Sequence, residues 1–214
     1  MSFAVSPALL DALGALAVCA GEATLRFYEG DSGVDTKADG SPVTKADLAS
    51  EAVILPGLAR LAPGVPVVSE ESADSAPATG DLFFLVDPLD GTKEFISRNG
   101  EFTVNIALIE NGAPALGVVQ APALGRLWIG AAGLGAWEIG AAGARRALNT
   151  RPAPAALTAI GRRSHGGAET ARFRVRRTVS AFEIASVARL DGTTEMPVDR
   201  AEVLLGRLLR QTLL

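Results

Sequence analysis

The chain of 214 residues contains one cysteine and one histidine. A lone thiol excludes a disulfide framework and any multi-cysteine zinc site. A lone imidazole excludes histidine-rich metal centres and argues against most nucleophilic triads. Any metal held here is therefore held by oxygen, which selects magnesium, manganese or calcium. Aromatic residues are scarce, at 5%. They do not interleave with the basic residues, so no nucleic acid polymer is expected as a partner. No uninterrupted apolar run reaches the roughly 20 residues that span a bilayer. The N-terminal segment "SPALLDALGALAVCAGEATLRFYEG" carries acids where a secretory signal would be basic and then apolar. A cytoplasmic location is expected, with a peripheral membrane contact and a homodimer left open. Cys19, between Val18 and Ala20, reads as a buried helix position.

What the chain does hold is 48% hydrophobic and 21% charged residues, the balance of a soluble globular protein with one core or two lobes. The net charge of −4 is unevenly spread. Residues 1–150 carry 9 Lys+Arg against 18 Asp+Glu, a balance of −9, and residues 151–214 carry 11 against 6, a balance of +5. An acidic lobe over 1–150 and a basic C-terminal part over 151–214 are the expected divisions. The basic tail reads as solvated surface or as contact with a small anionic substrate.

Ser6-Pro7 caps and opens a helix to about Tyr28, with Leu9, Leu10, Leu13, Leu16, Ala17 and Ala20 at helical spacing. A polar, glycine-rich loop follows, with a short extended piece around Val34–Lys37. Thr44 caps a second helix, which Pro56 is expected to kink or split. From Pro63 onward short apolar runs alternate with turn residues. "VPVVSE" and "LFFLVDP" read as strands, the second buried on both faces, and Asn111-Gly112 joins two more in a hairpin. "GRLWIGAAGLGAWEIG" supplies a further pair. The fold class is α/β in the α+β layered sense, two helices followed by an antiparallel sheet.

The chemistry concentrates where "LFFLV" runs out. Asp87 closes that run, Pro88 fixes a turn, and Asp90 follows three residues later with the Leu89 carbonyl between. Two carboxylates and a carbonyl form a set of hard oxygens. Gly91 allows close backbone approach, and a helix starting at Thr92 would offer N–H groups to a phosphate. That combination suits a metal-assisted phosphate centre; the plainer alternative is an aspartate turn with a helix cap. A haloacid dehalogenase-type phosphatase also has a strand-end aspartate, but there the second aspartate comes two residues later, so that reading fails. Glu70 and Glu71 in "VVSEES" end another apolar strand, where one can turn inward as a metal ligand; Glu70 is the choice. Asp47 lies early in the second helix, as a first-turn acid or as the partner of Thr92 in positioning a water.

Taken together, "PVTKADLASE", "VVSEES", "DPLDGTKEF" and "NGEFTVNIALIENG" resemble the lithium-sensitive, magnesium-dependent phosphatases of the inositol monophosphatase-like superfamily. "GTKEF", where inositol monophosphatases tend to carry Asn-Phe, is more similar to the bacterial 3'(2'),5'-bisphosphate nucleotidase branch. The resemblance runs over roughly residues 5–170. It implies a sandwich of helices and mixed or antiparallel sheets, with Mg2+ held by Glu70, Asp87, Asp90 and the Leu89 carbonyl. It further implies that Asp47 and Thr92 activate the attacking water, with Glu70 contributing to catalysis, and that Gly91, Thr92 and Leu89 meet the phosphate. The implied substrate is a small phosphate ester, adenosine 3',5'-bisphosphate, cleaved to AMP and phosphate; inositol or sugar phosphates are the alternative.

The family's closing Trp-Asp motif, whose aspartate completes a second metal site, is not present. Trp128 and Trp137 are not followed by aspartate, and after about Arg172 the chain no longer reads like the family. Divergence or a changed reading frame near Arg172–Arg177 would account for this, and a catalytically impaired homologue is the alternative to a working enzyme. Asp191, Glu195 and Asp199 are weak substitutes for the lost ligand. Arg162 and Arg163 suit a second substrate phosphate, and His165 follows a strand that can line the pocket.

Overall fold

A computed structural model of the chain describes residues 3–30, 33–36, 42–72, 80–140 and 142–150. Helix α1 (Pro7–Leu25) starts where Ser6 accepts a hydrogen bond from the Leu9 amide, with proline in the first turn. A two-stranded ribbon, β1 (Asp35–Thr36) and β2 (Pro42–Val43), leads into α2 (Lys45–Leu61). Seven further strands form one sheet: β3 (Val67–Ser69), β4 (Leu82–Asp90), β5 (Thr103–Glu110), β6 (Ala113–Ala121), β7 (Arg126–Ala131), β8 (Gly135–Ile139) and β9 (Arg145–Leu148). They lie in chain order. β3 runs parallel to β4, and every later pair is antiparallel. The sheet is therefore mixed. The fold is a mixed α/β arrangement, as expected.

The core lies between the helix pair and one sheet face. Leu10, Leu13 and Ala17 of α1, with Ile54 and Leu58 of α2, meet Phe84, Val86, Val104, Ile106, Val118 and Ile129 from alternate strand positions. α1 and α2 approach closely because Gly57 offers no side chain; a Cβ there would stand 2.3 Å from a Leu16 methyl. Asn111 and Gly112, at φ 52° and 73°, form the left-handed turn the hairpin requires. β4 is buried on both faces over its middle, as its apolar run indicates.

Three expectations need correction. α2 continues through Pro56, which sits on the exposed side of an unbroken helix near its last turns, where the loss of one intrahelical bond is tolerated. Cys19 is exposed. Helical rotation puts Leu13, Leu16, Ala17 and Ala20 inward and leaves Asp11, Ala15, Cys19 and Glu22 outward, so its apolar neighbours in sequence are not its neighbours in space. α1 is also long and apolar enough to cross a bilayer by length and composition, despite Asp11 and Glu22. Half of that stretch is buried, against the sheet and α2.

Candidate functional site

The polar centre forms at the C-terminal end of β4. Regular strands alternate faces, so residues 87 and 90 would point to opposite sides of the sheet. They do not, because the strand carries a bulge. Asp87 pairs with Asn105 and Asp90 pairs with Thr103, so three steps on β4 span two on β5. The extra residue restores the parity and turns both carboxylates to one face. Within the bulge the Leu89 amide donates to Asp87 Oδ1 at 3.1 Å, and the Pro88 carbonyl accepts from the Ser50 hydroxyl at 2.7 Å.

Glu70 follows β3 directly, and its amide extends the parallel pairing by donating to the Val86 carbonyl. Its carboxyl hydrogen-bonds Asp87. Asp87 is 8% exposed. Burial, then the charges of Asp90 and Glu70, push its pKa well above the ordinary carboxylate range, against a smaller opposing pull from the Leu89 amide. Asp87, Asp90 and Glu70 thus share one electrostatic neighbourhood. Asp90 is held by the Asn105 side-chain amide at 3.3 Å. Among the described residues no three Asp, Glu, His or Cys side chains close into a ready-made metal cage. Asp90 is drawn toward Asn105, while Glu70 and Asp87 bind each other.

α2 supplies the next component. Asp47 Oδ2 accepts from the Thr44 amide at 2.8 Å and from its hydroxyl at 2.6 Å, a capping box that fixes the carboxylate in the first turn. Its other oxygen faces the Thr92 hydroxyl at 3.4 Å. Asp47 therefore caps α2 with one oxygen and directs the other toward Thr92. Gly91 precedes α3 (Thr92–Ile96) at φ 96°. A Cβ there would meet the Glu101 carbonyl at 3.1 Å, so glycine is needed both for the dihedral and for the close approach. Beneath the loop, Leu89, Phe95, Phe102 and Ala46 form a separate buried cluster capped by Phe27 and Tyr28. Phe95 and Phe102 meet edge-on at 5.0 Å between centroids.

The sequence-chosen residues Asp47, Glu70, Asp87, Leu89, Asp90, Gly91 and Thr92 thus come from three elements and two loops to one end of the sheet. Two neighbours were missed. Asn105 is fully buried, and its Oδ1 has no described hydrogen-bond partner. An amide inside the otherwise apolar "TVNIALI" was the available signal. Ser50 left none, since a serine in a helix is unremarkable by pattern. Arg162, Arg163, His165, Asp191, Glu195 and Asp199 lie outside the described residues.

A second buried acid lies on the same sheet face. Neighbouring positions run from Asp87 through Asn105, Val119 and Trp128 to Glu138. Glu138 is bound by Arg146 and by Arg126, whose Nε lies 2.6 Å away. Those bonds, Arg146's first, hold its carboxyl below the ordinary range. Arg126 also stacks over Trp128.

Helices on a mixed sheet, with carboxylates and a capped aspartate gathered at its end, define a layered α/β fold with an acidic site at one end of the sheet. Residues 8–195 match the inositol monophosphatase family, and the chain belongs to that family, whose enzymes are metal-dependent phosphatases. The match continues past Arg172, where the sequence had ceased to look familiar. The chain is 47% identical over 169 residues to the 3'(2'),5'-bisphosphate nucleotidases CysQ of Escherichia coli strain K12 and Shigella flexneri. Each alignment covers 77% of this chain and 68% of the relative. The crystal structure of CysQ from Bacteroides thetaiotaomicron superposes with a TM-score of 0.61 at 34% identity, over 80% of this chain and 71% of that one.

Proposed function

We propose that this chain is a Mg2+-dependent 3'(2'),5'-bisphosphate nucleotidase that removes the 3'-phosphate of adenosine 3',5'-bisphosphate, giving AMP and phosphate in the cytoplasm. The observation that carries the reading is the convergence of Glu70 and Asp90 on buried Asp87 at a strand bulge. Carboxylates placed so close raise one another's energy, and a divalent cation relieves the repulsion. The donor set fits Mg2+, which prefers hard oxygens and is often held by one or two carboxylates with waters rather than by a full protein cage.

Glu70, Asp87, Asp90 and the Leu89 carbonyl would hold the cation. When bound, it offsets charge on the phosphoryl oxygens and on the departing 3'-oxygen. Asp47 has an oxygen directed at the Thr92 hydroxyl, and together they orient a water for in-line attack on phosphorus. Asp47 takes the water's proton as the new P–O bond forms. The bond from phosphorus to the 3'-oxygen breaks, and that oxygen takes a proton from solvent water to become the hydroxyl of AMP, while Asp47 gives its proton back to solvent. The Gly91 and Thr92 amides hold the phosphate, with the glycine at 91 allowing it to lie against the backbone. Residues 1–150 carry the groups of this site.

The test is phosphate release from adenosine 3',5'-bisphosphate, inositol monophosphate and fructose bisphosphate, each with and without magnesium. Adenosine bisphosphate is expected to be the best substrate, with turnover lost in chelator. A preference for inositol or fructose phosphate removes the narrower assignment. Binding of magnesium and nucleotide without turnover identifies a catalytically impaired homologue instead.

A further inference from the structure

We infer that Ser50 is a positioning residue for the acidic site, its hydroxyl fixing the bulge that brings Asp87 and Asp90 to one face. The inference rests on the metal reading above and deepens it. Ser50 is fully buried in α2 and donates to the Pro88 carbonyl at 2.7 Å, across 38 positions of sequence. Pro88 has no N–H to anchor it in the ladder. Its carbonyl lies in the stretch where pairing with β5 is broken. The helix therefore supplies an anchor at the point where the sheet does not.

The same helix carries Asp47 one turn earlier, on the face that Ser50 shares. α2 thus addresses both halves of the site, directing Asp47 toward Thr92 and clamping the strand that bears the two aspartates. Loss of the hydroxyl leaves a buried carbonyl without its donor. The bulge relaxes in response, and the separation of the two carboxylates changes with it. Groups one shell out from a metal commonly govern its affinity in this way.

Calorimetric titration of the full chain with magnesium alone tests this, read beside thermal stability in chelator. Ser50→Ala is compared with Thr24→Val, which removes another fully buried hydroxyl-to-carbonyl bond, that of Thr24 to the Gly21 carbonyl in α1. Both variants should melt earlier. Ser50→Ala alone should raise the magnesium dissociation constant by about 10-fold or more, and Ser50→Thr, which keeps a hydroxyl on the same carbon, should restore it. If Ser50→Ala fails to fold, Ser50→Cys retains the size with a weaker donor and should show the same loss of affinity. Destabilisation like that of Thr24→Val with wild-type magnesium affinity overturns the inference and leaves the metal reading standing. A wild-type chain that binds no magnesium removes both.

Discussion

Asp87 and Glu138 occupy opposite ends of one cross-strand row, both nearly buried, and their surroundings treat them in opposite ways. Glu138 is enclosed by two arginines and stays ionised below the ordinary carboxylate range. Asp87 is buried within the field of two further acids and is driven above it. A buried acid answered by guanidinium groups within the fold is architecture, tying β7, β8 and β9 together. A buried acid packed with like charges raises the energy of the folded chain, and a bound cation lowers it again. The pair separates a structural charge from a functional one more sharply than either residue's sequence context does.

The largest effect should come from Asp90→Asn, which removes one acid of the cluster at nearly constant volume. Phosphate release should fall by at least about 10³-fold, since a metal site supplies several kcal/mol of transition-state stabilisation. Retained turnover in a steady-state assay would break the comparison at its functional end. Next in size is Gly91→Ala. The left-handed dihedral costs a side chain about 1–2 kcal/mol, and the Glu101 carbonyl must also give way. A melting point lower by several degrees is expected, together with reduced turnover.

Asp87→Asn sharpens the contrast through pH. A carboxyl whose folded pKa is raised contributes stability below its unfolded pKa, and loses that contribution as pH rises through the folded value. In chelator near neutral pH the ionised side chain is therefore destabilising. The variant should melt above the wild type there, with the gap closing toward acid. Magnesium should raise the melting point of the wild type more than that of the variant. A wild type that is the more stable at neutral pH in chelator would refute the sign.

Glu138→Gln should have the smallest effect. Its lowered pKa gives stability above the unfolded value that is lost as pH falls through the folded one. Arg126 and Arg146 are 46% and 70% exposed, so solvent screens both pairs. A loss of about 1 kcal/mol or less is expected, smaller still in high salt, with turnover unchanged. A drop in activity comparable to that of the Asp90 variant would show that the two ends of the row are not distinct after all.

Much of this was legible in residue patterns. The hairpin at Asn111-Gly112, the doubly buried β4 and the caps at Ser6 and Thr44 are local chemistry, and local chemistry is written locally. Glu70 and the Asp87–Asp90 pair stood out as acids at the ends of apolar runs, and Asp47 as a first-turn acid of the second helix. The exposure of Cys19 was misjudged by reading neighbours in sequence as neighbours around a helix. The persistence of α2 through Pro56 depends on which side of the helix faces solvent, a tertiary matter. β9 was not anticipated, since "RRAL" has no alternation and gains its strand from pairing with β8. Ser50 was invisible for the same reason, and Asn105 showed only as an amide within an apolar run. Their partners lie on other elements, and only the assembled sheet shows what they touch.

The bulge between 87 and 90 also bears on how experiments on this protein are to be interpreted. A share of the polar apparatus proposed here belongs to peptide oxygens, those of Pro88 and Leu89, which survive every side-chain replacement. An alanine scan would therefore report the loss of the Leu89 side chain from its buried cluster and leave the carbonyls of 88 and 89 in place. Ester substitution of individual amide links, which weakens a carbonyl without altering any side chain, is the probe able to register it.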